Sequence, residues 1–211
     1  MARRYEQRRR AEQQTETRQR IVEAAIELHR TIGPGATTMS EIADRAGVSR
    51  VTVYRHFPDE LALSFACSGL YIQRNPLPDA ESWRSIADPE ARFRTGVGAA
   101  YAYHGANRDI FARALGEARD EPAMAPYHAH WRRAAEVLAA PWRRRGRRRQ
   151  ELTAGIALAL SFDTWRTLTV EQGLTEPQAV ELMLRVTRDG AAGGPAAVPA
   201  HRTGALPANG A

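Results

Sequence analysis

The amino-acid sequence predicts an all-α fold in which a small N-terminal group of three helices precedes a larger helical bundle. Apolar residues recur at intervals of three and four along most of the 211 residues, as they do on amphipathic helices. No stretch of the sequence shows the alternation of apolar and polar residues that a half-buried strand requires. Apolar residues make up 43% of the chain, which suffices for a sizeable core.

The first two predicted helices are separated by a break at Gly33, Pro34 and Gly35. The first helix presents four apolar residues on one face: Ile21, Ala25, Leu28 and Ile32. The second helix repeats this spacing with Met39, Ile42, Ala43 and Ala46. Thr38 is a suitable N-cap for the second helix, and Glu41, three residues later, completes a capping box.

A third, short helix is predicted from Arg50 to Phe57, directly after a sharp turn. Gly47 has no Cβ atom and can adopt the left-handed conformation that ends the second helix. We expect Val48 to fill the corner between the two helices and Ser49 to cap the third by accepting a backbone N–H. Two short helices joined in this way form a helix-turn-helix.

The rest of the chain is predicted to be helical with short breaks. Six further helices are expected at about 59–74, 89–104, 108–119, 123–145, 147–172 and 176–188. From residue 190 the sequence is rich in Gly, Ala and Pro and has little to bury, so a disordered tail is predicted. The chain therefore divides into four parts: a basic arm at 1–16, a helix-turn-helix domain at 17–63, a helical domain at 64–189 and the tail at 190–211.

The chain is strongly basic, with a net charge of +6 and a pI of about 10.2, and every basic residue is arginine. This balance predicts a polyanionic partner, although a genomic base bias toward Arg and Ala codons also raises the pI. The charge is clustered, because residues 1–20 hold seven arginines against three glutamates and residues 143–149 hold six arginines. The first cluster is either an arm on phosphates or the minor groove, or a solvated tail. The second is an exposed loop or a second anion site.

The third predicted helix is suited to the major groove of double-stranded DNA. Val53 and Phe57 are four residues apart and face the core, which leaves five side chains on the outer surface: Arg50, Thr52, Tyr54, Arg55 and His56. An arginine near the N-terminus of such a helix can donate two hydrogen bonds to guanine. Hydroxyl groups and histidine suit phosphate oxygens.

Residues 17–63 resemble the N-terminal DNA-binding region of the TetR/AcrR family of transcriptional regulators. The resemblance rests on TTMSEIADRAGVS and the RVTVYRHFPDELAL that follows it. It implies an all-helical homodimer with a variable C-terminal domain that binds a small-molecule effector. Such proteins are usually repressors that the effector releases from an inverted-repeat operator. A cytoplasmic protein is expected.

The resemblance also assigns roles on the DNA. Thr38 and Ser40 start the helix that approaches the backbone, Arg50 and Thr52 face bases, and Tyr54 and His56 hold phosphates. The full predicted DNA-binding set is Thr38, Ser40, Ser49, Arg50, Thr52, Tyr54, Arg55 and His56. One position departs from the family pattern, because Glu60 stands where the family often has a lysine, which puts a phosphate contact there in doubt.

The C-terminal part offers candidates for an effector pocket and a dimer interface. Aromatic and histidine side chains could line an apolar cavity between helices, or simply form the core: Phe93, Tyr101, His104, Phe111, Trp131, Phe162 and Trp165. Two apolar stripes could meet their symmetry mates as a four-helix bundle: Leu152, Ile156 and Leu160 on one helix, and Ala179, Leu182, Met183 and Val186 on another.

Several functional classes lack sequence support. The single cysteine, Cys67, rules out an internal disulfide framework, and the histidines show no metal-ligand spacing, so neither a metal nor a cofactor is predicted. No nucleotide-binding glycine loop or catalytic motif is present, and an enzyme is not expected. The longest apolar run, from Gly155 to Phe162, is far shorter than a membrane span needs. The alternative to a regulator is a DNA-processing enzyme or accessory protein that uses the same helix-turn-helix.

Overall fold

In the computed structural model, which describes residues 1–192, all regular structure is helical, and the predicted all-α fold is confirmed. Four helices form the N-terminal domain: α1 (Ala2–Thr31), α2 (Met39–Ala46), α3 (Arg50–His56) and α4 (Glu60–Arg74). Six form the C-terminal domain: α5 (Pro89–Ala106), α6 (Arg108–Glu117), α7 (Ala125–Ala139), α8 (Gly146–Ala159), α9 (Phe162–Trp165) and α10 (Glu176–Ala192). Short 3-10 helices cover Ala80–Ser85, Pro122–Met124 and Ala140–Trp142, and a π-helix covers Arg166–Glu171.

Two separate hydrophobic cores hold these helices together. The first lies between α1, α2, α3 and α4, where Ile21, Val53 and Phe57 are at most 1% exposed. The second fills the C-terminal domain, where α8 packs against both α7 and α10. The two domains meet where α1 packs against α6 and where α4 packs against the 3-10 helix at Pro122–Met124.

The long predicted helices of the C-terminal domain are interrupted. The helix predicted at 123–145 ends at Ala139, since Pro141 has no N–H to continue the ladder and Arg143 is left-handed with φ of 52°. The helix predicted at 147–172 breaks after Ala159, where Ser161 accepts the N–H of Thr164 and caps a new helix. A proline at the first place and a polar cap at the second therefore outweigh the continuous apolar pattern.

The chain termini also differ from the simplest expectation. The basic arm at 1–16 is not a separate segment, because α1 begins at Ala2 and runs unbroken into the first core. At the other end α10 includes residues 190–192, which were predicted to belong to the disordered tail. The remainder of that predicted tail, residues 193–211, lies outside the described residues.

Candidate DNA-binding surface and effector cavity

The start of α2 is held by the predicted capping box. The N–H of Glu41 donates to Thr38 Oγ1 at 3.2 Å, and the Glu41 carboxylate accepts the Thr38 N–H at 2.8 Å. Thr38 and Ser40 are both exposed at this helix end. The N-terminus of α2 is therefore rigid and open, as a helix that docks on a phosphate must be.

The turn into α3 is equally well defined. Gly47 is left-handed, with φ of 66°, and its N–H donates to carbonyl groups in the last turn of α2. Ser49 then caps α3, because its hydroxyl accepts the Thr52 N–H at 3.1 Å and lies 2.9 Å from the Thr52 hydroxyl. Val53 is buried below, so the orientation of α3 about its own axis is set by the core.

Arg50 and Tyr54 form a pair on the outer face of α3. The Arg50 guanidinium lies 5.5 Å above the Tyr54 ring, and its Nη2 donates to the Tyr54 hydroxyl at 3.3 Å. Tyr54 is 39% exposed, and Arg55 is also exposed at the end of the helix. The contact with the ring restricts the guanidinium, which reduces the entropy lost when it binds a base.

His56 is less open than the other predicted DNA contacts. It is partly buried, and its Nε2 has no hydrogen-bond partner within the described residues. Burial lowers the pKa of His56, and the nearby Arg55 and Arg18 lower it further. The ring is therefore neutral at pH 7, so a contact with phosphate would be a hydrogen bond from an uncharged ring.

Sequence reasoning overlooked Val51. Its side chain is 78% exposed on the surface of α3, between Arg50 and Thr52. The signal was available, since Val53 faces the core and a residue two positions earlier lies on the opposite side of a helix. An exposed branched side chain at this position can contact the methyl group of thymine, which polar residues read poorly.

Comparison with known proteins identifies the same segment. The family described as "Bacterial regulatory proteins, tetR family" matches residues 21–67, from the first buried residue of α1 to Cys67 in α4. The chain belongs to the TetR family of transcriptional regulators. The predicted helix-turn-helix is the central part of the matched segment.

Two curated relatives of this TetR-family chain are transcriptional regulators. The HTH-type transcriptional activator FasR of Mycolicibacterium smegmatis is 33% identical over 88 residues, which are 42% of this chain and 40% of FasR. The HTH-type transcriptional regulator SrpR of Pseudomonas putida is 44% identical over 79 residues, 34% of this chain and 36% of SrpR. The matched segments thus span less than half of either relative.

The likeness to solved structures extends over both domains. A TetR-like transcriptional regulator from Rhodococcus sp. RHA1 superposes with a TM-score of 0.56, covering 84% of this chain and 97% of that one. The sequence identity is 19%, so this likeness concerns the fold alone. It shows that the C-terminal helices share the fold of that protein.

A cavity of about 100 Å³ lies where the two domains of this TetR-family chain meet. Its wall is mostly apolar and comes from α1, α4, α6 and the start of α7. Ile26 and His29 contribute from the DNA-binding side, and Phe111, Met124 and Tyr127 from the regulatory side. A ligand in this cavity would touch both domains at once.

Hydrogen bonds tie α4 to the regulatory domain beside the cavity. The Tyr71 hydroxyl, on the cavity wall, donates to Asn107 Oδ1 at 2.5 Å, and Asn107 Nδ2 donates to the Tyr103 carbonyl at 2.7 Å. One turn earlier, Ser68 Oγ donates to the Ala123 carbonyl at 2.9 Å. The helix that follows the DNA-binding surface is therefore anchored to the cavity wall at two points.

The predicted effector residues gather mostly in the core rather than around this cavity. Four of the other six surround His104: ring centroids lie 5.1 Å away for Trp131, 5.7 Å for Phe162, 6.2 Å for Trp165 and 6.4 Å for Phe111. Only Phe111 also lines the cavity. Phe93 and Tyr101 are fully buried in the second core. Aromatic spacing alone could not separate a packed cluster from an open pocket.

His104 is the polar centre of this cluster. Its Nε2–H donates to the Leu160 carbonyl at 2.9 Å, and burial lowers its pKa to about 4. Its other nitrogen, Nδ1, is buried without a hydrogen-bond partner in the described part of the chain. The neutral ring thus presents one free acceptor inside an aromatic cluster next to the cavity wall.

Glu117, the last residue of α6, contacts the turn that precedes α2. Its carboxylate accepts the Gly35 N–H at 2.9 Å, across 82 residues of sequence. Gly33 adopts φ of 96°, and a Cβ atom there would overlap both carboxylate oxygens. His29 lies nearby, where burial lowers its pKa and the Glu117 charge partly offsets this effect. Two glycines therefore let α6 sit directly against the DNA-binding domain.

The predicted dimer interface needs correction. Five of its seven residues are buried inside one protomer, each at most 6% exposed: Leu152, Ile156, Leu160, Ala179 and Met183. They fill the seam between α8 and α10 of the same chain, so they are not available to a partner. Leu182 is partly exposed and Val186 is 53% exposed, while Leu158, which was not predicted, is 56% exposed on α8. An apolar stripe in a sequence does not reveal which chain it packs against.

The arginine run at 143–149 is split between two elements. Residues 143–145 connect a 3-10 helix to α8, while Arg147, Arg148 and Arg149 occupy the first turn of α8. Arg147 pairs with Glu151 at 2.7 Å. Half of the run is thus helical rather than loop, although most of its side chains are exposed as expected.

The described residues contain neither a metal-binding cluster nor a helix that could span a membrane. No group of three or more His, Cys, Asp or Glu side chains is placed to hold a metal ion. No helix of the described part has the length and apolarity to cross a membrane.

Proposed function

We propose that the protein is a ligand-responsive transcriptional repressor that binds an inverted-repeat operator as a homodimer. A small, largely apolar effector releases it from the DNA. The observation that carries the proposal is the exposed face of α3. There the guanidinium of Arg50, at the N-terminal end of a helix capped by Ser49, lies over the ring of Tyr54. The curated relatives are regulators, and no observation favours the DNA-processing alternative.

On the operator, α3 lies in the major groove and the N-terminus of α2 contacts the backbone. Arg50 donates two hydrogen bonds to a guanine, and Val51 contacts a thymine methyl group. Thr38, Ser40 and the neutral ring of His56 bind phosphate oxygens, which position the protein without reading sequence. These roles follow from the exposure of the side chains and from the caps at both helix starts.

Dimerisation uses the outer faces of α8 and α10. These faces carry apolar side chains that are more than half exposed within the described residues, Leu158 at 56% and Val186 at 53%. Two copies of each helix form a four-helix interface around a two-fold axis. The two copies of α3 then face successive turns of the major groove, which requires an inverted repeat.

The effector binds in the cavity between α1, α4, α6 and α7. A volume of about 100 Å³ is small for a typical effector, so binding widens the cavity. The wall yields either toward the aromatic cluster, where His104 Nδ1 offers an acceptor, or toward α1 and the turn that Glu117 holds. Movement of the second kind displaces α2 and α3 and weakens operator binding.

Selection of bound sequences from random duplex DNA tests the proposal. The parent protein should return an inverted repeat with two half-sites about one helical turn apart. The Arg50→Ala variant should lose roughly 1–3 kcal/mol of operator binding and relax the preference at one position in each half-site. An unchanged motif would remove Arg50 from base recognition, and absence of any enriched motif would contradict operator binding itself.

A further inference from the structure

The N-terminal half of α1 extends beyond the domain to which it belongs. The helix has 30 residues, and its contribution to the first core begins at Ile21. Residues 3–16 are all exposed. At 1.5 Å per residue, the part before Ile21 is a rod of about 28 Å, and residues 3–16 of this rod are not covered by any other described element.

This rod has two chemically different faces. At about 100° per residue, five of its seven arginines fall within an arc of about 160°: Arg3, Arg4, Arg8, Arg10 and Arg18. The three glutamates fall on the other side, with Arg9 and Arg20: Glu6, Glu12 and Glu16. The sequence therefore gives the rod one basic face and one mixed face.

The basic face continues the face of α1 that covers the other DNA-binding helices. Ile21, Val22, Ala25 and Leu28 occupy the same arc of the helix and are buried against α2, α3 and α4. Along one continuous side of α1, apolar contacts with the protein thus give way to arginines. The partner of those arginines lies on the same side as the helix-turn-helix.

The direction of the rod also places its arginines near the helix-turn-helix. The C-terminal end of α1 leads into the turn that Glu117 of the regulatory domain contacts. At the other end of the packed segment, Arg20 Nη1 donates to the Ala46 carbonyl at 3.4 Å, and Arg18 lies 4.6 Å above the Phe57 ring. The rod therefore leaves the DNA-binding domain past the α2–α3 turn.

An isolated helix of this composition needs a partner. Helices that bury no apolar face are marginal in water, and the one ion pair that joins side chains of residues 3–16, Arg8 with Glu12, is exposed. Such a pair contributes well under the cost of ordering the segment. A polyanion that pairs with the basic face would stabilise the helix and is complementary in charge.

We propose that the first four turns of α1 bind the phosphate backbone of duplex DNA next to the half-site that α3 contacts. The inference rests on the proposed DNA-binding function and extends it to DNA outside the operator half-site. The contact is electrostatic and independent of sequence. It lengthens the DNA segment that each protomer covers and raises both specific and non-specific affinity.

Two neighbouring arginines provide a matched test. Arg10 lies on the basic face and Arg9 on the mixed face, and both are exposed. The probe is a random-sequence duplex of roughly 40 base pairs, long enough for two half-sites and their flanks. Binding is measured by fluorescence anisotropy over a range of salt concentrations. For Arg10→Gln the slope of log K against log salt should be shallower by about 0.9 per subunit, and for Arg9→Gln it should match the parent.

A deletion of residues 2–16 provides the second measurement. Because residues 3–16 are all exposed, the thermal midpoint should stay the same while the salt slope falls by more than in Arg10→Gln. Parent-like slopes for both Arg10→Gln and the deletion would overturn the inference, as would equal losses for Arg9→Gln and Arg10→Gln. A parent protein that fails to bind duplex DNA at low salt would instead contradict the proposed function.

Discussion

The contact of Glu117 with the turn before α2 gives the sharpest prediction about communication between the domains. Its carboxylate accepts the Gly35 N–H at 2.9 Å. A hydrogen bond to a charged group contributes roughly 1.5–3 kcal/mol when shielded from water, and the exposure of Glu117 reduces this toward about 1 kcal/mol. We expect Glu117→Ala to weaken operator binding by up to about fivefold per protomer, because the turn gains alternative positions while both cores stay intact.

Two measurements check this prediction. Anisotropy titrations with the selected operator give the loss of affinity, and amide exchange followed by NMR reports the Gly35 N–H directly. Exchange at Gly35 should be faster in Glu117→Ala and close to the parent in Glu117→Gln, since the amide oxygen of Gln still accepts a hydrogen bond. Unchanged exchange at Gly35 in Glu117→Ala would refute the contact as described.

Gly33→Ala approaches the same contact from the other side. The new Cβ would overlap the carboxylate, and the left-handed backbone would be strained. If Gly33→Ala and Glu117→Ala both break the contact between Glu117 and this turn, the double variant should lose less affinity than the sum of the two single losses. Strict additivity would mean that Gly33 acts through strain alone.

Three further predictions concern other parts of the molecule. Leu158→Glu together with Val186→Glu should yield monomers that lose operator binding, and a variant that sediments as a dimer would place the interface elsewhere. Burial lowers the pKa of His104 to about 4, so the folded protein binds this proton less readily than the unfolded chain. The free energy of unfolding should therefore fall by about 3 kcal/mol in all as the pH drops from about 6.5 toward 4. Denaturant melts should show a smaller loss of stability over this pH range in His104→Phe than in the parent. Glu60 is exposed in the first turn of α4, which Asp59 caps at 2.7 Å. Glu60→Lys should therefore lower stability by several tenths of a kcal/mol through the helix dipole, yet steepen the salt slope of DNA binding by about 0.9 per subunit; an unchanged slope would mean that position 60 does not face the DNA backbone.

The DNA-binding domain could be predicted in detail because its boundaries depend on local chemistry. A capping box at Thr38, a left-handed glycine at 47 and a cap at Ser49 each involve residues within four positions of one another. Each is decided by the backbone geometry of a single turn. The sequence therefore predicted both ends of α2 and the start of α3 to the residue, while α3 ends at His56, one residue before the predicted Phe57.

The regulatory domain was harder because its features depend on contacts between distant residues. Leu152 and Met183 form an apolar stripe whether they face another helix of the chain or a second copy. Likewise, the sequence pattern around Trp131 and Phe162 would be the same whether these residues lined a cavity or packed in the core, where the structure places them. The interdomain cavity depends on α1, α4, α6 and α7 together, and no short pattern encodes such a meeting point.

The segment from His29 to Thr38 connects the cavity to the DNA-binding helices. His29 and Pro34 line the cavity, Gly35 binds Glu117, and Thr38 caps the helix that docks on the backbone. A ligand can shift the position of α2 only by as much as it prefers one arrangement of this segment over another. Because the empty cavity is only about 100 Å³, an effector of ordinary size must move some part of the wall. The aromatic side of that wall is held by a dense core, whereas this segment is joined to α6 by the exposed hydrogen bond between Gly35 and Glu117. We infer that the wall yields at the segment, which couples effector binding to release of the operator without any change within either core.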